Sequence, residues 1–237
     1  MNTILVLLPF YNCDTFLKAS IESILAQTYS NFKLVLIDDS STDTSLEVAK
    51  QYSHLPNVEI IENPINMGPY YCLNLGLLSN INYNWDWVIT HGGDDISYLT
   101  RFQNQINAIK QNAIAVSCRF DRVEFYTNRR IHTNPETNES MLLVSRKVFD
   151  TIGYYDTTRV GCDTEYKKRL RLAFPQMEIV KVDKILVDAF LHDSNLTKKI
   201  PLGGTERRAY VAFFTRAHEN MKRTKSFYKG FKKITNL

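Results

Sequence analysis

Four times within the first 118 residues a short apolar run gives way to a polar loop and then to an amphipathic stretch, and this alternation restricts the fold more than any other feature of the chain. Ile4–Leu8, Lys33–Ile37, Val58–Glu62, Trp85–Thr90 and Ile114–Cys118 have the length and apolar, β-branched content of buried strands. Asp14 is placed to cap a helix running to about Gln27, with Phe16, Leu17, Ile21, Ile24 and Leu25 on one face. Thr44 with Glu47 has the spacing of a capping box, and Pro69 suits the first position of a helix to about Ser79. A fourth helix is expected from about Thr100 to Gln111. Short links between parallel strands require helical crossovers, so the pattern predicts a doubly wound α/β sheet. Such sheets bind ligands beyond the carboxyl ends of their strands. The polar positions Asn12, Asp38–Asp43 and His91–Asp95 all fall at those ends and can therefore converge.

After residue 118 the order changes. Val123–Tyr126 and Met141–Val144 read as strands and Lys147–Ile152 as a short helix. Gly161-Cys162-Asp163 leads into a helix to about Phe174, stopped by Pro175, and Glu178–Val182 and Ile185–Phe190 read as further strands before a loop at His192.

A chain of 237 residues suits one substantial domain. Its 44% hydrophobic and 23% charged content is that of an ordinary soluble protein, and a net charge of +4 is too weak to imply nucleic acid. The four cysteines have no paired spacing, so neither a zinc site nor a disulfide framework is expected. The apolar run at Ile4–Leu8 is too short for a signal-peptide core or a membrane span, and the expected location is cytoplasmic. From Lys198 onward there are eleven Lys or Arg against two Glu, interleaved with Phe213, Phe214, Phe227, Tyr228 and Phe231. This basic, aromatic, partly helical tail (201–237) is either a solvated helix covering the domain or a surface for anionic lipid or an anionic acceptor.

Three carboxylate positions bear on chemistry. Asp94-Asp95 follows a strand and two glycines; the string is an ordinary turn taken alone, yet paired carboxylates at a strand end also suit a hard cation that carries a diphosphate. Asp38-Asp39 either belongs to a helix-capping loop or accepts hydrogen bonds from a base imide or a ribose. Asp163 is either a helix-capping residue and a partner for Lys167 four residues on, or a carboxylate facing a cleft; Glu165 has its own partner at Arg169. His192, just past a strand, is either a satisfied ring or a metal ligand. No Gly-x-Gly-x-x-Gly follows the first strand, which argues against a dinucleotide-binding oxidoreductase.

In this combination and order the chain resembles family 2 glycosyltransferases of the GT-A fold, over roughly residues 3–197. Val6-Leu7-Leu8-Pro9-Phe10-Tyr11-Asn12 looks like that family's first strand and donor loop. Ser23-Ile24-Leu25-Ala26-Gln27-Thr28 and Leu34-Val35-Leu36-Ile37-Asp38-Asp39-Ser40-Ser41-Thr42-Asp43 look like its next segments, and Asn66-Met67-Gly68 is similar to its Asn-x-Gly stretch. The segment Ser145 to Asp156 is similar to the acceptor-side strand and helix. Gly161-Cys162-Asp163 with Arg169 resembles the segment holding the catalytic base, and His192 through Ser194-Asn195-Leu196-Thr197 a late His-containing stretch. Two positions depart from the pattern: Gly92 stands where the first Asp of Asp-x-Asp-Asp is frequent, and Cys162 where Glu often precedes the base.

The resemblance implies a single GT-A, Rossmann-like α/β domain (1–200) with a mixed, mostly parallel sheet, divided into a nucleotide-binding half (1–118) and an acceptor-side half (119–200). It implies an inverting glycosyltransferase using a nucleotide-diphosphate sugar, with UDP-sugar favoured, and a glycan or other hydroxyl acceptor. Asp39 is expected to hold the base, flanked by Pro9 and Tyr11, with Asn12, Asn66 and Gly68 in the donor loops and Asp94 on ribose or the metal shell. Asp95 and His192 are expected to ligate Mn²⁺ or Mg²⁺, and Asp163 to act as general base. Asp39, Asp95 and Asp163 should then meet around one cavity. The rival readings are a sugar-phosphate nucleotidyltransferase, which normally has a Gly-rich loop in place of Pro9-Phe10-Tyr11-Asn12-Cys13, and a non-catalytic nucleotide- or glycan-binding module.

Overall fold

The computed structural model describes residues 1–132, 141–159, 161–193, 195 and 204–231. Strand β1 (Ile4–Phe10) is flanked by β2 (Phe32–Asp38) and β4 (Trp87–Thr90), with β3 (Val58–Glu62) outside β2, all parallel. Between them run α1 (Asp14–Leu25), α2 (Ser45–Lys50) and α3 (Pro69–Ser79). Residues of β1 alternate between two cores. Ile4, Val6 and Leu8 pack with Leu17, Ile21 and Ile24 of α1 on one face, while Leu5 and Leu7 pack with Cys72, Leu73 and Leu77 of α3 on the other. A strand buried on both faces reads as a continuous apolar run, which is why this half was legible in the sequence.

Beyond β4 the sheet is mixed. Its elements are β5 (Asp95–Ser97), α4 (Arg101–Asn107), β6 (Ala113–Glu124), β7 (Arg130–His132), β8 (Leu143–Ser145), α5 (Arg146–Ile152), α6 (Cys162–Ala173) and β9 (Glu178–Leu191). Among the described residues the strand order is β3-β2-β1-β4-β8-β6-β9-β5, with β7 paired to β6. Strand β8 runs antiparallel between β4 and β6, β6 and β9 are parallel, and β5 is antiparallel to β9. Two expectations are corrected here. Ile114–Cys118 and Val123–Tyr126 belong to one strand, β6, as far as Glu124, and the two strands expected at Glu178–Val182 and Ile185–Phe190 are the single strand β9. The polar residues that look like breaks are a cross-strand ion pair, Arg119 to Asp183 at 3.1 Å, beside register shifts at Cys118–Phe120.

The expected caps also differ. Cys13 rather than Asp14 precedes α1, and Asp14 accepts the Thr44 hydroxyl at 2.8 Å. Thr44 is thereby withdrawn from the capping box with Glu47, and the two helix starts are tied together, with Cys13 N donating to Ser45 Oγ at 2.8 Å.

Helix α7 (Thr205–Thr224) lies on α6, burying Tyr210, Phe214 and His218. Downstream, Lys229 N donates to Ile152 O and Tyr154 N to Lys229 O, at 3.0 Å each, while Phe227 and Phe231 pack into the core. Of the tail aromatics, only Phe213 and Tyr228 are exposed. No described helix is long and apolar enough to cross a membrane.

Candidate active site

The parallel strands β1, β2 and β4 end together, and two groups of polar side chains stand at those ends. The first is organised by Asp39, immediately after β2. Its carboxylate is buried and accepts hydrogen bonds from Asn63 Nδ2 (3.0 Å), Met67 N (2.9 Å) and Gly68 N (2.7 Å), while its carbonyl accepts from Asn66 Nδ2 (3.1 Å). Asp39 therefore latches the 63–68 loop against the end of β2. Gly68, at φ +94°, occupies a conformation that L side chains rarely adopt, immediately before Pro69 opens α3. Asn12, at φ 45°, accepts Thr42 N through Oδ1 at 2.7 Å and fixes the loop after β2 from the other side. Pro9 lies past the last residue of β1 paired with β4, so its missing N–H leaves no gap in that ladder, and Tyr11 is exposed.

The second group is the loop after β4. Gly93 sits where a Cβ would come within 2.9 Å of Phe10 Cβ and 3.0 Å of Cys13 Sγ, so the loop closes on β1 only with glycine there. At Gly92 a Cβ would stand 2.8 Å from Asp95 Oδ2 and 2.9 Å from Asp94 Oδ1. The two carboxylates thus converge on the space that a side chain at 92 would fill, which gives the family departure at this position a physical meaning. Behind them His91 is fully enclosed. Burial, then the Arg101 charge, lowers its pKa to about 3, so the ring is neutral. Arg101 Nη1 donates to His91 Nδ1 at 3.2 Å, leaving Nε2–H to donate to Asp95 O at 3.1 Å. The Asp95 carboxyl is raised above the usual carboxylate range by burial and by the charge of Asp94, against the pull of Arg101 and Arg122.

Asp94 is held from β9. His192 Nε2 lies 2.9 Å from Asp94 Oδ2, Asn195 Nδ2 donates to the same oxygen at 2.9 Å, and Phe16 stacks on the imidazole at 4.2 Å. His192, expected as a ligand alongside Asp95, is hydrogen-bonded to Asp94 at the edge of the carboxylate pair. Among the described residues no three His, Cys, Asp or Glu side chains gather as a metal cage. Ser194, Leu196 and Thr197 lie outside the described residues.

Asp163 arrives from the opposite side, in the first turn of α6, where backbone N–H groups stabilise negative charge. Tyr70 of α3 donates its hydroxyl to Asp163 Oδ1 at 3.0 Å, and Lys167 Nζ lies 3.9 Å from Oδ2. Burial and the Asp163 charge hold the Tyr70 hydroxyl well above its usual range, so it stays a donor. Asp94, Asp95 and Asp163 line one cavity of about 390 Å³, walled by aromatic groups including Tyr155 and Tyr166, which stack at 4.1 Å. Asp39 does not line it: its carboxylate is turned into the 63–68 loop, so the expected meeting of 39, 95 and 163 is formed by 94, 95 and 163 instead. Tyr70 and Arg122 were not signalled by any motif, and Asn63 and Asn195 fall within family-like segments that gave them no role of their own; Asn63, Tyr70 and Asn195 each have a hydrogen-bonding partner far away in sequence. A roomier cleft of about 600 Å³, between Ile81–Trp87 and Ser145–Lys147, lies at the amino end of β4, and Arg146 there is occupied by Ile81 O and Tyr83 O.

This arrangement offers an exposed carboxylate for proton uptake, two converging carboxylates, and flat apolar walls suited to a sugar ring. Comparison with known proteins bears on the fold and the family. The putative glycosyltransferase EpsE of Bacillus subtilis (strain 168) is 36% identical over 109 residues, covering 45% of this chain and 38% of that protein. An uncharacterized glycosyltransferase of Haemophilus influenzae is 31% identical over 118 residues, covering 49% of this chain and 46% of the relative. The chain thus spans less than half the length of both. Among solved structures, S. aureus TarS 1–349 in complex with UDP-GlcNAc superimposes with a TM-score of 0.73 at 14% identity, covering 91% of this chain and 66% of that one. The mannosyltransferase PcManGT from Pyrobaculum calidifontis, in complex with GDP-Man and Mn²⁺, gives 0.65 at 16%, covering 91% and 64%. These likenesses establish the GT-A fold. The model of glycosyl transferase family 2 matches residues 5–166, and the chain belongs to that family.

Proposed function

We propose that this protein transfers a sugar from a nucleotide-diphosphate sugar, a UDP-sugar in the first instance, to an acceptor hydroxyl with inversion at the anomeric carbon. The reading rests on one observation: Asp163 lines the same cavity as Asp94 and Asp95 although about 70 residues and the whole of β6 lie between them in the chain. Asp163 takes the proton of the acceptor hydroxyl, and Tyr70 and Lys167 orient its carboxylate. A positioned base of this kind contributes about 10²–10⁴-fold. Asp39, Asn12, Asn66 and Gly68, with Pro9 and Tyr11, form the cradle assigned to the nucleoside, and residues 119–200 the acceptor side.

The hard oxygen donors converging over Gly92 fit Mn²⁺ or Mg²⁺, which needs few protein carboxylates when phosphate and water complete its shell. Asp95, with Asp94, would hold it, and His192 and Asn195 keep Asp94 in place. When bound, the ion supplies Lewis-acid charge to the diphosphate. We assign to the exposed face of α7, with Phe213 between Arg208 and Arg216, a contact with anionic membrane surface at the cytoplasmic side.

A panel of nucleotide-sugars, with and without Mn²⁺, tests the reaction. The expected result is release of nucleoside diphosphate with one donor, abolished in Asp163→Asn while binding of that nucleoside diphosphate persists. Transfer activity that survives in Asp163→Asn refutes the assignment of the base, and nucleoside triphosphate with sugar 1-phosphate formed from the donor only when pyrophosphate is added points to the nucleotidyltransferase alternative.

A further inference from the structure

The cavity contains a cation that the reaction as described leaves unused. Arg122 of β6 lines it together with Asp95 and Asp163 and is half-buried. Among the described residues its side chain has no hydrogen-bond or ion-pair partner, and its guanidinium rests over the Phe120 ring at 5.6 Å. Lys167, the other cation on this wall, already faces Asp163. A half-buried guanidinium without a carboxylate is poorly compensated, and its planar fork matches phosphate oxygens in a bidentate manner.

Register fixes where this fork stands. Arg122 is paired with Ala189 of β9, and Ala189 with Asp95 of β5, so the three share one row across adjacent strands. With strands about 4.8 Å apart, the Arg122 and Asp95 backbones are separated by roughly 10 Å. Only the methyl group of Ala189 stands between them on that row. The guanidinium and the carboxylate pair therefore flank the same part of the cavity, consistent with the pull that Arg122 exerts on Asp95.

We infer that Arg122 binds the phosphate linked to the sugar and takes up the negative charge that this phosphate gains as it leaves; the inference rests on the transfer reaction proposed above. In that step the acceptor oxygen bonds to the anomeric carbon as the bond from that carbon to the phosphate oxygen breaks. The bonding pair stays on the phosphate, and the hydroxyl proton passes to Asp163. The phosphate in question is the terminal one, because the reacting carbon lies between Asp163 and the carboxylate pair and brings its own phosphate into the cavity first.

Calorimetric binding of UDP and of UMP to the wild type, Arg122→Lys and Arg122→Gln, at fixed Mn²⁺, tests the assignment. Arg122→Gln is expected to lose about tenfold or more in UDP affinity while UMP affinity stays within about twofold, with Lys restoring only part of the loss. In parallel, kcat should fall by about 10²–10³-fold. Equal losses for UDP and UMP would show a general packing role and overturn the inference. So would unchanged UDP affinity with a raised KM for the acceptor, which assigns Arg122 to the acceptor. If the wild type itself binds neither nucleotide, the donor reading falls and this inference with it; if only the contrast between wild type and variant is missing, Arg122 alone is misassigned.

Discussion

Replacing Phe214 by Ala measures how firmly α7 belongs to the α/β domain. The Phe214 ring is fully buried, with Tyr210 at 5.2 Å and His218 at 5.3 Å between ring centres, Lys168 Nζ 5.1 Å above it, and Cys162 in the same cluster. Truncating a buried Phe to Ala costs about 3–5 kcal/mol, a large share of the roughly 5–15 kcal/mol that holds a domain together. At about 2–4 °C per kcal/mol for a chain of this size, the expected fall in Tm is roughly 6–20 °C. The adjacent Phe213, 66% exposed, is the internal control: Phe213→Ala should stay within about 0.5 kcal/mol. Thermal and urea unfolding followed by circular dichroism read both variants. Because Cys162 immediately precedes Asp163, the Phe214 variant should also lose turnover well below its own Tm, through a displaced start of α6. Equal Tm values for the two variants, or a separate early transition for the tail alone, would refute the integral packing of α7.

Three further outcomes are expected. Gly92→Ala places a methyl group under 3.0 Å from both Asp94 and Asp95; at about 1–3 kcal/mol for overpacking it should lower Tm by roughly 2–12 °C and weaken any Mn²⁺-dependent rise in Tm, whereas wild-type behaviour would mean that the carboxylates do not converge there. Burial alone would raise Glu165, but hydrogen bonds from His218 and Arg169 and the charges of Arg169 and Lys229 outweigh it and set its folded pKa at about 2 against an ordinary 4.5. A depressed carboxylate contributes stability above its unfolded pKa and loses it as pH falls through the folded one, so on the order of 3 kcal/mol should disappear between about pH 4.5 and 2; urea unfolding across that window should show a shallower slope in Glu165→Gln, and an unchanged slope sinks the attribution. Phe213→Ala should reduce co-sedimentation with anionic vesicles without changing turnover in solution, and undiminished sedimentation removes α7 from membrane contact.

How far the sequence could be read depended on whether a residue's partner was local. Strands β1 to β4 are buried on both faces or bounded by clear turn residues, and their runs announce them. Strands β5 and β7 have three residues each, too few for any period, and β6 and β9 carry Arg119 and Asp183, which look like punctuation until the two strands pair. The site divides in the same way. Asp94, Asp95 and Asp163 follow from strand ends, a helix start and the family resemblance. The latch role of Asp39 was hidden because its partners at 63, 67 and 68 come from another loop. The grip of His192 on Asp94 joins residues 98 apart. Glu165 and Arg169 were legible as an i,i+4 pair, but nothing local showed that the pair is fully buried and joined by His218 and Lys229.

That last cluster bears on how the site works. The carboxylate pair is braced by His91, Arg101, His192 and Asn195, and the buried face of α6 by Arg169, His218 and Lys229; the two bracing sets share no residue. Arg169 also reaches Tyr154 O at 2.7 Å and Ile152 O, so α6 is fixed to the segment that follows α5 rather than to the loop after β4. Asp163 is itself exposed, and a carboxylate in water holds no direction by its own contacts. Its aim comes from the helix beneath it, from Lys167 one turn on and from the Tyr70 hydroxyl that reaches it from α3. Tyr70 follows Gly68 by two residues, and Gly68 N is bonded to Asp39. The physical link between the Asp39 latch and Asp163 therefore runs through the first turn of α3, so a ligand that shifts the 63–68 loop is expected to re-aim Asp163, and an Asp163 pKa unmoved by nucleotide binding would refute the coupling.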